Sequence, residues 1–194
     1  LVFICVVFSY QFNAQCSNLT ASAGTNAVLE TEDIYIEDFS NQNDKGASGG
    51  VLDVSGCNWS IDVSAASLSD ANDYFKVVNE KLEAKDVDGN CIWYSPSINI
   101  AYYKDVSLSI TASESGSLEN ADILYSEYRV DGGPWSYFSS NGQYFNDFGS
   151  MTVSQSGLSG STVEIRVTVN VDESSEQIRI DDINVTGKRY KETI

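Results

Sequence analysis

The chain has 194 residues, with 28 acidic against 11 basic side chains and a formal charge of −17. That length suits one domain with a real core, and the charge repels a phosphate backbone or an anionic bilayer, which excludes nucleic acid as a partner. Histidine is absent, so a Ser-His-Asp triad and the commonest zinc ligand are excluded, and any chemistry falls to carboxylates, Tyr, Lys or a metal.

Leu1 to Phe8 is an unbroken apolar run. It is too short to span a bilayer and long enough for the apolar part of an export signal, so residues 1–15 read as a signal-peptide remnant cleaved near Gln15. A lipid anchor on Cys16 is the rival reading. Either way the protein is expected to be secreted, extracellular or at the cell surface, without a membrane span. In that oxidising setting Cys57 and Cys91 are the preferred disulfide pair; the bridge would close a loop of about 34 residues and contribute roughly 3–4 kcal/mol. Two buried free thiols are the alternative.

Residues 16–33 are polar and rich in Ser, Thr, Asn and Ala, which reads as a flexible lead-in. The sandwich proper is expected over 34–187. Its first strand, Ile34 to Phe39, and its last, Ile178 to Val185, share the pattern Ile-x-Ile-acid-Asp-apolar. In the last strand Ile178 and Ile180 lie on one face, and Ile183 and Val185 keep that face only if one extra residue is absorbed at Asp181-Asp182, which is a β-bulge. The same slip is expected at Glu37-Asp38. If these strands pair, Glu37, Asp38, Asp181 and Asp182 converge, and such a hard oxygen-rich site suits calcium. The alternative is a set of solvated edge-strand acids.

Between the end strands come short strands with turn residues between them: Val51 to Val54, Trp59 to Val63, Tyr74 to Val78 and Leu82 to Lys85. Asp86-Val87-Asp88-Gly89-Asn90 looks like the start of an EF-hand loop, but Cys91 and Ser97 stand where Gly and Glu are required. A hairpin turn into Ile92 to Tyr94 explains it better, with a loop calcium on Asp86 and Asp88 left open. Val106, Leu108, Ile110 and Ala112 alternate with polar residues; Leu124, Tyr128 and Val130 share a face; Val163 to Val171 alternates with Glu164, Arg166, Thr168 and Asn170. About ten such strands, no helical period and two prolines predict an all-β fold, an antiparallel two-sheet β-sandwich of the jelly-roll kind. Residues 188–194 turn basic and lose the alternation, as a linker to a following domain would.

Asp131 to Gly149 carries Trp135, Tyr137, Phe138, Tyr144, Phe145 and Phe148 among Gly, Ser and Asn. Flat rings beside amides and hydroxyls are what a sugar face needs. Trp135, Tyr137, Tyr144 and Asn141 are the candidate ligand-binding residues; Phe145 and Phe148 read better as a loop tucking its rings onto the sheet edge. Trp59 and Trp93 sit in strand-like runs and are expected in the core.

Ile36-Glu37-Asp38-Phe39-Ser40, Leu82 to Gly89, Trp93 to Ile98, Tyr128-Arg129-Val130-Asp131-Gly132-Gly133-Pro134-Trp135 and Ile180 to Gly187 together resemble the lectin-like or MAM-like jelly-roll module of secreted Bacteroidota proteins that carry type IX sorting signals. The resemblance spans nearly all of Glu30 to Gly187. It implies binding or adhesion rather than turnover, a polysaccharide or surface glycan as partner, and neighbouring domains in the same protein. In similar calcium-bearing carbohydrate-binding modules, acids on the first and last strands hold a structural ion. Two other readings stand beside this one. One is a glycan-cleaving enzyme, which needs two carboxylates roughly 5–9.5 Å apart across a cleft, with Glu37 and Asp182 as the pair. The other is a purely structural spacer.

Overall fold

The structure, a computed structural model, describes residues 27–192; the expected export signal, Cys16 and the lead-in up to residue 26 lie outside the described residues. Among those described, all regular structure is β, in two antiparallel sheets, and no helix is long and apolar enough to cross a membrane. The larger sheet holds β1 (Ala27–Glu37), β2 (Gly46–Ser48), β3 (Val51–Asp53), β5 (Tyr74–Val78), β6 (Lys81–Lys85), β9 (Lys104–Ser115), β13 (Ser150–Leu158) and β15 (Gln177–Glu192). Its order is β13-β9-β15-β6-β5-β2-β3, with β1 also paired to β15. The second sheet holds β4 (Ser60–Asp62), β7 (Cys91–Tyr94), β8 (Ile98–Asn99), β10 (Ile123–Val130), β11 (Ser136–Tyr137), β12 (Gln143–Phe145) and β14 (Thr162–Asn170), ordered β11-β10-β14-β7-β4, with β12 on β10 and β8 on β14. This is the expected two-sheet jelly-roll sandwich.

Its core is the sum of two period-two patterns. Val106, Leu108, Ile110 and Ala112 of β9, in one sheet, and Val163, Ile165, Val167 and Val169 of β14, in the other, belong to one buried cluster. Each fully buried Val, Leu or Ile side chain of that set contributes roughly 1.5–3 kcal/mol. Trp59 and Trp93 are in the core as expected, both edge-on to Phe39 at 6.0 and 6.3 Å.

β15 organises the larger sheet. Residues 177–180 pair with β6, and residues 183–192 pair with β1, while β9 runs along the other edge from Gln177 to Lys188. The change of partner falls at Asp181-Asp182, where the register to β9 slips and Asp182 takes a φ of 46°. The expected bulge is there, and it returns Ile183 and Val185 to the face of Ile178 and Ile180, all four buried. The slip expected at Glu37-Asp38 is not. In β1 the shift lies between Asp33 and Tyr35, so Tyr35 and Glu37 take the inward positions opposite Val185 and Ile183, and Ile36 is left more than half exposed.

The sheet also runs past the limits expected from sequence. Ala27 to Asp33, read as lead-in, pairs with Thr186 to Glu192, mostly read as linker. The basic turn of the tail matches the acids opposite: Lys191 meets Glu30 and Glu32 at 3.0 and 2.9 Å, and Arg189 meets Glu32 at 3.5 Å. Exposed pairs of this kind are weak because solvent screens them, so the backbone ladder carries most of the pairing.

The bridge expected between Cys57 and Cys91 is not formed; both are free thiols. Cys91 opens β7 and is fully buried, with its thiol pushed up to about 12 by burial first and by Asp62 second. Cys57 lies half-buried in the loop before β4, near Lys45, Glu37 and Asp53, where burial raises its thiol as well. The two sulfurs therefore occupy different surroundings. Alkylation in denaturant without reductant should label both; a protected pair would restore the bridge.

Candidate functional site

The alternation that buries one face of the second sheet exposes the other. In β10, Leu124, Ser126, Tyr128 and Val130 turn inward, and Ile123, Tyr125, Glu127 and Arg129 turn outward. Register then decides which side chains meet on the outer face: Phe145 is opposite Ile123, Gln143 opposite Tyr125, Tyr137 opposite Glu127, Arg166 opposite Glu127 on the other side, and Tyr94 beyond Arg166. Tyr125 is the middle ring of three. Tyr137 and Phe145 stand edge-on to it at 5.7 and 5.6 Å between centroids, an arrangement aromatic quadrupoles favour. Tyr137 is 44% and Phe145 43% exposed.

Beside this row lies a rigid polar layer. Arg166 grips Glu127 through two hydrogen bonds of 2.7 and 2.8 Å, and Arg129 donates to Glu164 at 2.6 Å. Trp135 spreads over both guanidinium groups, 4.7 and 4.6 Å from ring to cation, and tilts against Tyr94 at 6.4 Å. Such stacking on paired arginines fixes the indole plane. The turn that delivers Trp135 is the Asp131-Gly132 hairpin, with φ values of 52° and 68° at its two central residues, as a type I′ turn requires. It closes through Gly133 N–H donating to the Val130 carbonyl at 2.9 Å, and Asp131 Oδ1 anchors it by accepting from the amides of Ser161 and Thr162 at 2.8 Å each.

Of the four residues expected to bind ligand, Trp135 and Tyr137 lie on this face and the other two do not. Tyr144 is opposite Leu124, so it turns inward, half-buried against Phe148 at 5.2 Å. Asn141 sits in the loop between β11 and β12 at φ 57° and donates to the Thr152 carbonyl of β13, at 3.1 Å, away from the rings. Phe145, expected to tuck in, is a surface ring. Tyr125, Tyr94, Arg129 and Arg166 were missed. Their outward phase was readable, but their meeting depends on cross-strand register.

The four acids expected to hold calcium are not gathered. Glu37 points inward, where Oε1 accepts from Phe39 N–H at 2.9 Å and from Gln42 Nε2 at 2.8 Å; burial raises its pKa. Gln42 in turn accepts from Trp59 Nε1 at 2.7 Å, so Glu37 ends a buried polar chain. Asp38 is exposed and accepts from the Ser40 amide at 3.0 Å, a bond that lowers its pKa. Asp181 pairs with Lys81 at 2.5 Å, and Asp182 is exposed at the bulge. Each acid has its own role in the strand ends, so this set does not fit a shared ion. The same geometry keeps Glu37 and Asp182 from facing each other across a cleft.

A different group of carboxylates could hold a metal ion. Glu119, Asp122, Asp172 and Glu176 each bring one oxygen within 4.8 Å of the others. They come from the β9–β10 and β14–β15 connections at one end of the sandwich. Glu176 is pushed up to about 7 by burial, with Asp122 the next cause, and Asp122 is raised by burial.

No protein-family model and no curated protein sequence matches the chain. Solved structures similar to it include the K3 cleaved adhesin domain of Lys-gingipain from Porphyromonas gingivalis, at 9% identity and TM-score 0.45, covering 81% of this chain and 99% of that one. The CBM22-1 xylan-binding domain of Paenibacillus barcinonensis Xyn10C is similar at 11% identity and TM-score 0.42, over 87% and 100%. A structure reported with endo-acting O-glycanases of human gut microbiota is similar at 11% identity and TM-score 0.47, over 79% and 98%. The structural neighbours thus include carbohydrate-binding and adhesin domains, alongside material from enzymes.

Proposed function

We propose that the chain is a non-catalytic extracellular module that binds a neutral polysaccharide or surface glycan on the outer face of its second sheet, as part of a larger secreted protein. The observation that carries this reading is the exposed Tyr137-Tyr125-Phe145 row beside the arginine-stacked Trp135. Sugar C–H faces stack on such rings while carboxylate, amide and guanidinium edges take the hydroxyls. Neutral sugar is favoured because both guanidiniums are already neutralised by Glu164 and Glu127, and a chain of charge −17 repels uronates and sulfates. Binding without turnover is favoured because those two glutamates serve as counter-ions to arginine, which leaves neither free to donate a proton to a leaving group.

The test is an array of neutral plant, algal and bacterial glycans beside polyanionic ones. Retention on neutral glycans alone is the expected result. Retention on polyanions only would overturn the substrate class, release of reducing ends would overturn the non-catalytic reading, and silence on every glycan would favour the spacer.

A further inference from the structure

We infer that the acidic end of the sandwich is a divalent-cation site, with Glu119, Asp122, Asp172 and Glu176 as ligands and calcium as the ion it fits. The four oxygens within 4.8 Å are the first observation. Calcium binds oxygen at roughly 2.3–2.6 Å, so oxygens around one ion lie at most about 5 Å apart. The second observation is independent of that clustering. Asp122 and Glu176 are only 1% and 2% exposed, and Asp122 Oδ1 and Glu176 Oε2 have no hydrogen-bond donor. Among the described residues none of the ion pairs includes any of the four acids. Buried carboxylate oxygens with neither donor nor counter-charge are unfavourable, and a cation between them supplies both.

The ligand chemistry selects among ions. An all-carboxylate set without sulfur or imidazole is hard, which disfavours zinc and suits calcium. Glu119 and Asp172 are exposed, which leaves a side for entry and for the waters that complete the shell. Gly116, at φ 115°, lets the β9–β10 connection approach closely: a Cβ there would lie 2.9 Å from the Cα of Glu176.

Occupancy should also be felt on the ring-bearing face. The Leu118 amide donates to Asp147 Oδ1 at 2.7 Å, and the Asn146 amide donates to the Glu119 carbonyl at 3.3 Å. The segment just after Phe145 is therefore docked on the loop that supplies two of the ligands, and a bound ion would brace both.

The experiment uses the full chain stripped of metal, titrated with calcium chloride by calorimetry and melted with and without calcium at matched ionic strength. One site should bind, and at a hundredfold excess over Kd the Tm should rise by roughly 5–10 °C. Amide exchange at Leu118 and Asn146 should slow. Glu119→Gln and Asp172→Asn, exposed positions that leave the fold intact, should each weaken calcium by about tenfold or more, since each removes a charged ligand. Glu37→Gln with Asp181→Asn should leave calcium binding unchanged. Absence of binding heat and of any Tm change overturns the site, as does binding that survives Glu119→Gln and Asp172→Asn together, or a Tm rise matched by sodium chloride. No carbohydrate enters these measurements, so their failure and that of the glycan reading are separate results.

Discussion

Deletion of Asp182 should leave no folded domain. The bulge at Asp181-Asp182 supplies the one extra residue that lets β15 present Ile178 and Ile180, then Ile183 and Val185, to the same core. Without it every side chain after the deletion changes faces. Two fully buried aliphatics would move to solvent, at roughly 1.5–3 kcal/mol each, and Asn184 and its neighbours would be driven inward without partners, at about 1–3 kcal/mol per unsatisfied group. Together these costs approach the roughly 5–15 kcal/mol by which a domain is stable. Far-UV circular dichroism and a thermal melt check this. Asp182→Gly is the companion: it keeps the residue count, suits a φ of 46° and should change stability by only about 1 kcal/mol. A cooperative melt near wild type in the deletion would mean that the bulge does not set the phase of β15.

Loss of Trp135 or Tyr125 should have the largest effect on ligand retention. Trp135→Ala removes a ring that rests on two arginines already bound to Glu127 and Glu164, so the sheet beneath persists while the stacking surface goes. Tyr125→Ala removes the ring that both Tyr137 and Phe145 lean on, and so takes one ring from the row and loosens the other two. Truncation of a central aromatic contact typically costs about 2 kcal/mol or more, roughly thirtyfold in affinity. Asn141→Ala should leave affinity unchanged, because its side chain is tied to Thr152 on the other sheet. Affinity electrophoresis on the glycan that scores in the array is the measurement. Equal retention by wild type and Trp135→Ala would remove the face from consideration.

The elements that were legible in the sequence are those whose partner is the core itself. Alternation in Val163 to Val171 and in Val106 to Ala112 says which side chains are inside, because a half-buried strand writes its environment at period two. The same arithmetic located the bulge at Asp182. It misplaced the slip in β1 because Ile34, Ile36 and Phe39 offered an apolar phase that competed with the one used. The structure instead turns Tyr35 and Glu37 inward, the first half-buried and the second buried, and exposes Ile36. Glu37 is tolerated inside only because the Phe39 amide and Gln42 reach it, and no local pattern announces that.

The tail shows a second kind of limit. Lys188, Arg189 and Lys191 look like a linker when read alone, and become a strand once Glu30 and Glu32 lie opposite. The carboxylate group at the sandwich end is similar: Glu119 and Asp122 stand about fifty residues from Asp172 and Glu176, on two connections that meet only because β9 and β15 are neighbours while β10 and β14 are neighbours in the other sheet.

The sequence by itself determined an acidic, histidine-free, all-β sandwich, the identity of most of its core, the kink in its last strand and two of the rings on the outer face of its second sheet. Tertiary structure alone decided that Tyr125, Phe145, Arg129 and Arg166 join those rings, that the end-strand acids part company, and that four other acids converge. The physical reason is that burial is recorded locally, in the period of the chain, whereas a site made of side chains from separate strands exists only in the register between them.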